Sequence, residues 1–497
     1  MATVTDQPAD DGRRATRDSL IVAIGGQVER ALGTLTALAM RWGLPPEALG
    51  VYTGLRLYLD NTNRSSLGVA AGAAQEIPIL LASGREADRV TDVAHATNTV
   101  TCVVFAAGLL IWAWARAPLV ADTPFAAEWT WGLAAVAGLA LLKRHQDFLI
   151  VVLRARKEFA LTTRLAILDA ILSAVLTAGG IWLAGFWGLL ASVGLLLIFN
   201  IIYLRLAHPL RLGFAWDMPA ALRLMRVGLP IWATTTAFGF ATTVDRALIL
   251  WLIPDGTRAV GLYTVAIMGT SWALDLAGRV AIVMYPYFQS TVGRTGDQAA
   301  VAEQAARVAE AQAVPLAAGS AFAAIAGPVV LGALMPRYVE GVPAIRPLLP
   351  GMVALGLAWP ARQMLISVGR PFRLLAASCV GLAITVVAGS IGAVELGIVG
   401  VAVGSSIGFF ALYLATTWAA FRPFLGWWGH QARMAREVAP FAAAAWIAAA
   451  VPIVGGRWVE LAARLTIVLA LMAPWIWFWG RRHEWGGVFR RSGRSSI

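Results

Sequence analysis

Three ionisable residues spaced by four, Arg56, Asp60 and Arg64, stand inside an otherwise apolar stretch. A helix with that spacing presents all three on one face. One carboxylate neutralises one guanidinium, so the face keeps excess positive charge. Such a face takes an anion, and the planar fork of arginine suits phosphate oxygens. From a helix end near Ala48, Arg56 lies roughly 12 Å along the axis and Arg64 roughly 24 Å. An ionised side chain deep in a bilayer costs about 2.5–3.5 kcal/mol on insertion scales, so this stripe must face protein or water.

Other apolar stretches also carry polar or ionisable residues: Gln27, Glu29 and Arg30; Asp169; Asp245 and Arg246; Asp275 and Arg279; Arg362 and Gln363. Asp275 and Arg279, four apart, balance each other and read as a packing pair. Arg30 joins the Arg56–Asp60–Arg64 set, whose sum is positive, as a binding face. Arg362 follows Pro360 and fits either role; it is placed with the cavity cations. Asp245 and Arg246 are sequence neighbours that point in different directions, and are secondary candidates. Glu29, Asp60 and Asp275 are candidates for charge balance or for carrying a coupling proton. Together these residues describe an internal cavity that attracts a phosphate-bearing substrate and repels a cation. Cys102, Cys379 and five scattered histidines form no metal spacing. Nothing in the pattern calls for a metal, a cofactor or a covalent step.

The elements that position these residues follow from composition. Of 497 residues, 59% are hydrophobic and 14% charged, with a mean hydropathy of +0.69. A soluble domain carries about 25% charged residues. This chain is therefore solvated mostly by lipid, which excludes a soluble enzyme, a disordered protein and a secreted disulfide scaffold. The net charge of +12 fits basic loops on the inner side of a membrane better than a nucleic-acid partner. Apolar runs long enough to span a bilayer predict fourteen helices, over 19–42, 48–72, 92–114, 126–150, 160–183, 186–205, 227–252, 259–288, 308–335, 345–368, 373–393, 398–421, 437–454 and 460–479. The expected fold class is an all-α polytopic membrane protein.

Basic residues set the orientation. Arg481, Arg482, Arg490, Arg491 and Arg494 follow the last span. The connection after the fourth span is counted with Lys143, Arg144, Arg154, Arg156, Lys157 and Arg164. Gly43–Ala48 and Leu183–Phe186 carry no basic residue. Both termini are thus expected in the cytoplasm. External loops are short, which leaves little room for an external active site.

Segments recur at a nearly constant offset. Gly50-Val51-Tyr52-Thr53 matches Gly261-Leu262-Tyr263-Thr264; Lys157-Glu158-Phe159 matches Arg370-Pro371-Phe372; Gly185-Phe186-Trp187-Gly188 matches Gly397-Ile398-Val399-Gly400. Two parallel six-helix repeats follow, a transporter architecture with substrate held between the repeats. The expected organisation is a cytoplasmic tail 1–18, an N-lobe 19–206, a linker 207–225, a C-lobe 226–422, an appended helix pair 423–480 and a basic tail 481–497.

The chain resembles the polysaccharide (O-antigen type) flippases of the multidrug, oligosaccharidyl-lipid and polysaccharide exporter superfamily. The carrying segments are Leu44–Tyr52, Val227-Gly228-Leu229-Pro230, Val244–Ile249, Ala259–Tyr263, Tyr285-Pro286-Tyr287-Phe288 and Val368–Phe372. The resemblance implies lobes arranged as a V and alternating access. It implies a bacterial inner-membrane location and an undecaprenyl-pyrophosphate-linked oligosaccharide as substrate. It places basic residues on the first, second and eighth spans, matched here by Arg30, Arg56, Arg64 and Arg279. It also implies a lipid-tail groove along 437–479, and a polysaccharide polymerase and glycosyltransferases as working partners. The products in view are O-antigen, lipopolysaccharide or exopolysaccharide. Two alternatives stand beside it: a multidrug or cation antiporter of the same superfamily, using Asp60 and Asp169, and a membrane glycan polymerase or ligase.

Overall fold

A chain dissolved in lipid must satisfy each backbone N–H and C=O within its own segment, so its apolar runs become helices. The computed structural model describes residues 32–82, 86–121, 124–156, 158–208, 210, 212–452 and 456–482. Gln27, Glu29 and Arg30 lie outside them. The chain divides into two units, Met1–Thr236 and Ala237–Ile497.

The first unit contains α1 (described over 32–43), α2 (Pro46–Asp60), a 3₁₀ turn (Thr62–Ser66), α3 (Val69–Ala82), α4 (Asp88–Val120), α5 (Ala126–Ala155), α6 (Phe159–Ala207) and the larger part of α7 (Met218–Ala241). The second unit contains the end of α7, then α8 (Val244–Leu252), α9 (Gly256–Thr270), α10 (Trp272–Thr295) and α11 (Gln298–Leu334). A second 3₁₀ segment (Pro336–Ala344), α12 (Ile345–Ser367), α13 (Pro371–Phe421), α14 (Trp427–Ala450) and α15 (Arg457–Arg482) complete it.

Among the described residues six helical segments have the length and apolarity to cross a membrane, or seven if the bent pair α9–α10 is one span. The chain is an all-α polytopic membrane protein. Two of the six, α6 and α13, are hairpins. The backbone leaves helical geometry at Ala184 and Gly185 (φ +55°) in α6, and at Gly397 (φ +59°) in α13. Glycine is needed there because a Cβ disfavours the left-handed region.

Three runs expected as single helices are broken. The run 48–72 stops at Asp60, passes through the 3₁₀ turn, and resumes at Val69 after Leu67 (φ +49°) and Gly68 (φ +88°). Its polar residues bond to nearby carbonyls instead of extending the helix. Asn61 Nδ2 donates to Leu57 O at 2.6 Å, Ser65 Oγ to Thr62 O at 2.8 Å, and Ser66 Oγ to Asn63 O at 2.9 Å. The run 227–252 breaks between α7 and α8, where Thr242 and Thr243 hydroxyls donate to Gly239 O at 3.0 and 2.8 Å. The run 259–288 bends by 48° between α9 and α10.

The internal repeat carries these irregularities with it. α2 and α9 each have 15 residues and each ends at a break. α6 and α13 each reverse at the glycines matched in sequence, Gly185 and Gly397.

In the first unit, Ile77, Val93, Phe148, Leu149, Leu153, Leu165 and Leu224 form one core joining α3 to α7. In the second, Phe288, Val301, Leu365, Leu374 and Phe421 form another core, and Phe441, Val468 and Met472 seat α14 and α15 on α11. In lipid these side chains hold the helices together by close packing rather than by leaving water.

Candidate functional site

α2 begins with Pro46 at its first position, where a missing N–H costs nothing. One face then packs inward through Leu49, Tyr52, Leu55 and Leu59. The other face carries Arg56 and Asp60. Arg56 Nε donates to Asp60 Oδ2 at 3.3 Å, and both side chains are 55% exposed. Arg64 does not continue that face by helical periodicity, because α2 has ended before it. It sits half-buried in the 3₁₀ turn. The break keeps Arg64 within one turn of Asp60 while changing the direction of its side chain.

This turn is held from two sides within the first unit. From α5, Arg144 Nη1 donates to Thr62 O at 2.8 Å, and Asp147 Oδ2 accepts from Asn63 Nδ2 at 2.5 Å. From α7, Trp232 Nε1 donates to Arg64 O at 2.7 Å. The segment Val227-Gly228-Leu229-Pro230 is what allows α7 so close. A Cβ on Gly228 would overlap the Gly68 carbonyl, and a Cβ on Gly72 would overlap the Leu224 carbonyl.

Arg144 is not the loop cation expected from the sequence. It lies within α5 and is 2% exposed. Its Nε donates to Asn98 Oδ1 at 2.7 Å. Five consecutive polar residues, Lys143 to Asp147, resemble a loop, yet they belong to a helix whose inner side is polar at that level. Asp147 also pairs with Lys143 at 3.1 Å. Asp169 accepts from Asn200, which joins the two arms of α6. The helical spacing of Lys143 and Asp147 was the signal in the sequence that this run is structured.

In the second unit the predicted residues separate into three environments. Asp275 is exposed and Arg279 half-buried, four apart on α10. Asp245 is 2% exposed. It accepts from Tyr263 Oη at 3.1 Å and from its neighbour's backbone, Arg246 N, at 2.8 Å. It is a core carboxylate rather than one offered to a ligand, while Arg246 is half-buried beside it. Arg362 lies over two aromatic faces, 4.1 Å from the Phe238 centroid and 4.7 Å from that of Trp359. Its Nε is buried with no hydrogen-bond partner among the described residues. An aromatic cage therefore holds the guanidinium that the sequence places with the cavity cations.

Residues 78–343 match the model of a family described as polysaccharide biosynthesis protein. No curated protein matches the sequence. Among solved structures the chain is similar to the lipid II flippase MurJ in an inward closed conformation (TM-score 0.69, 10% identity, 92% of this chain and 98% of that one). It is also similar to an inward-facing multidrug resistance MATE family transporter of the MOP superfamily (TM-score 0.59, 13% identity, 84% and 98%). A MATE structure in complex with MaD5 is similar as well (TM-score 0.57, 14% identity, 85% and 95%). At these identities the likeness is one of fold.

Proposed function

Because the chain belongs to the polysaccharide biosynthesis protein family, we propose that it is a flippase that carries a polyprenyl-pyrophosphate-linked oligosaccharide across the membrane by alternating access. The observation that supports this reading is the broken second helix, which keeps Arg64 close in sequence to an Arg56–Asp60 pair that stays half-exposed. An exposed ionised pair inside an apolar bundle requires water beside it, and an accessible guanidinium suits a diphosphate.

On this reading Arg56 and Arg64 hold the diphosphate. Asp60 balances charge. The sugar is of the kind found in O-antigen or exopolysaccharide. The location is the bacterial inner membrane with both termini in the cytoplasm. A polymerase and glycosyltransferases act before and after this step, and α14 with α15 hold the lipid tail.

The test is transbilayer movement of a fluorescent undecaprenyl-pyrophosphate disaccharide in proteoliposomes. Arg56→Ala should lower the rate at least tenfold while the protein remains inserted. A rate equal to that of the unaltered protein would overturn the assignment.

A further inference from the structure

The 3₁₀ turn that carries Arg64 is a built element rather than a frayed helix end, and its buried support is a cation the substrate face does not itself use. Thr62 is fully buried. Its carbonyl follows the last turn of α2, inside the 3₁₀ segment. Here Ser65 Oγ and Arg144 Nη1 both donate to it, each at 2.8 Å. Arg144 is itself oriented by Asn98 Oδ1, and both residues are 2% exposed. A cation below the end of α2 also faces the negative end of that helix's dipole. An amide could make either hydrogen bond, but only a fork with several donors makes both while carrying charge.

We propose that Arg144 is the positioning residue of the anion-binding face: through Thr62 it fixes the break in the second helix and hence where Arg64 sits relative to Arg56 and Asp60. The side chain acts at a distance from any ligand, because it is sealed in the first unit's interior. This inference rests on the flippase reading for its ligand, while its structural half stands on the contacts alone.

The experiment uses the full chain with Cys102→Ala and Cys379→Ser, spin-labelled at Leu67→Cys, an exposed position at the end of the turn. Three quantities are read: the nitroxide line shape, the affinity for farnesyl pyrophosphate, and the same affinity for Arg56→Ala. Arg144→Met should turn an immobilised spectrum into a mobile one and weaken farnesyl pyrophosphate binding at least fivefold. Arg144→Lys, which keeps the charge without the fork, should restore only part of both. If Arg144→Met does not fold, Asn98→Ala removes one anchor of the guanidinium and should move both readouts the same way by a smaller amount. An unchanged spectrum in a folded variant overturns the proposal. So does a mobile spectrum with unchanged affinity when Arg56→Ala weakens binding, since Arg144 would then be a packing residue only. Equal farnesyl pyrophosphate binding by the unaltered protein and Arg56→Ala overturns the flippase reading instead, and the line shape still decides whether Arg144 fixes the break.

Discussion

Gly188 packs backbone to backbone against Gly180 across the reversal at Gly185, and a Cβ on either would overlap the other's carbonyl. Gly392 and Gly400 repeat the arrangement across Gly397. Helices meet this closely only where both lack side chains at the crossing. Gly188→Ala should therefore destabilise the hairpin by about 1–3 kcal/mol. The neighbouring Gly179→Ala, where a Cβ meets nothing within 4 Å, should be neutral to slightly stabilising. Thermal melting of the two variants in the same detergent checks the contrast; equal midpoints would refute the packing argument.

The aromatic cage around Arg362 makes a second, asymmetric prediction. A desolvated cation over an aromatic face contributes up to about 2 kcal/mol. Phe238→Leu should remove one face and leave a buried charge with less support. Arg362→Met removes the charge and keeps the stem, and replacing a buried ion by an apolar side chain is often close to neutral. Thermal midpoints should then rank Phe238→Leu below Arg362→Met. Farnesyl pyrophosphate affinity should stay within about twofold in Arg362→Met if the cage keeps the guanidinium from the ligand, a bound well under the roughly tenfold that 1.4 kcal/mol represents.

Tyr263→Phe deletes a single hydroxyl from a side chain with no exposed surface. Asp245 Oδ2 would lose its Tyr263 donor, at a cost of about 1–3 kcal/mol. The double change Tyr263→Phe with Asp245→Leu should cost less than the sum of the single changes. Melting of all three variants supplies the cycle, and strict additivity would show that the pair does not interact.

His430 gives stability a pH dependence. It lies in the first turn of α14, ahead of the predicted span 437–454, fully buried against Phe421 with ring centroids 4.7 Å apart. Neither ring nitrogen has a hydrogen-bond partner among the described residues. Burial pushes the imidazole down to about 4, opposed by Glu310 and assisted by Arg433. The unfolded chain, with an ordinary histidine near 6.5, binds the proton more readily than the folded one. Stability is then complete above about pH 6.5 and is lost progressively as pH falls towards about 4. Melting points measured between pH 7 and pH 4.5 should fall less steeply in His430→Phe than in the unaltered protein.

Much of this architecture is legible from residues alone, and the exceptions have local causes. Apolar runs predict helices because lipid leaves the backbone no other partner. Gly185 and Gly397 mark both hairpins because the left-handed region at a sharp reversal disfavours any other residue. The break after Asp60 escaped a reading based on hydrophobic length. Asn61, Ser65 and Ser66 compete for their own carbonyls, and α7 approaches through Gly228, a contact 160 residues away in the chain. The spacing of four leaves open which arginine Asp60 neutralises, and the structure pairs it with Arg56. Arg144 was misread because a run of polar residues looks the same whether it faces water or surrounds a buried turn.

The two hairpin reversals also bear on how the protein can be handled. They offer no slack chain: the arms are in contact five residues before and three residues after Gly185 and Gly397. A fluorescent reporter or epitope spliced in at either point would wedge the arms apart, although the same positions look like ordinary short loops in a hydropathy plot.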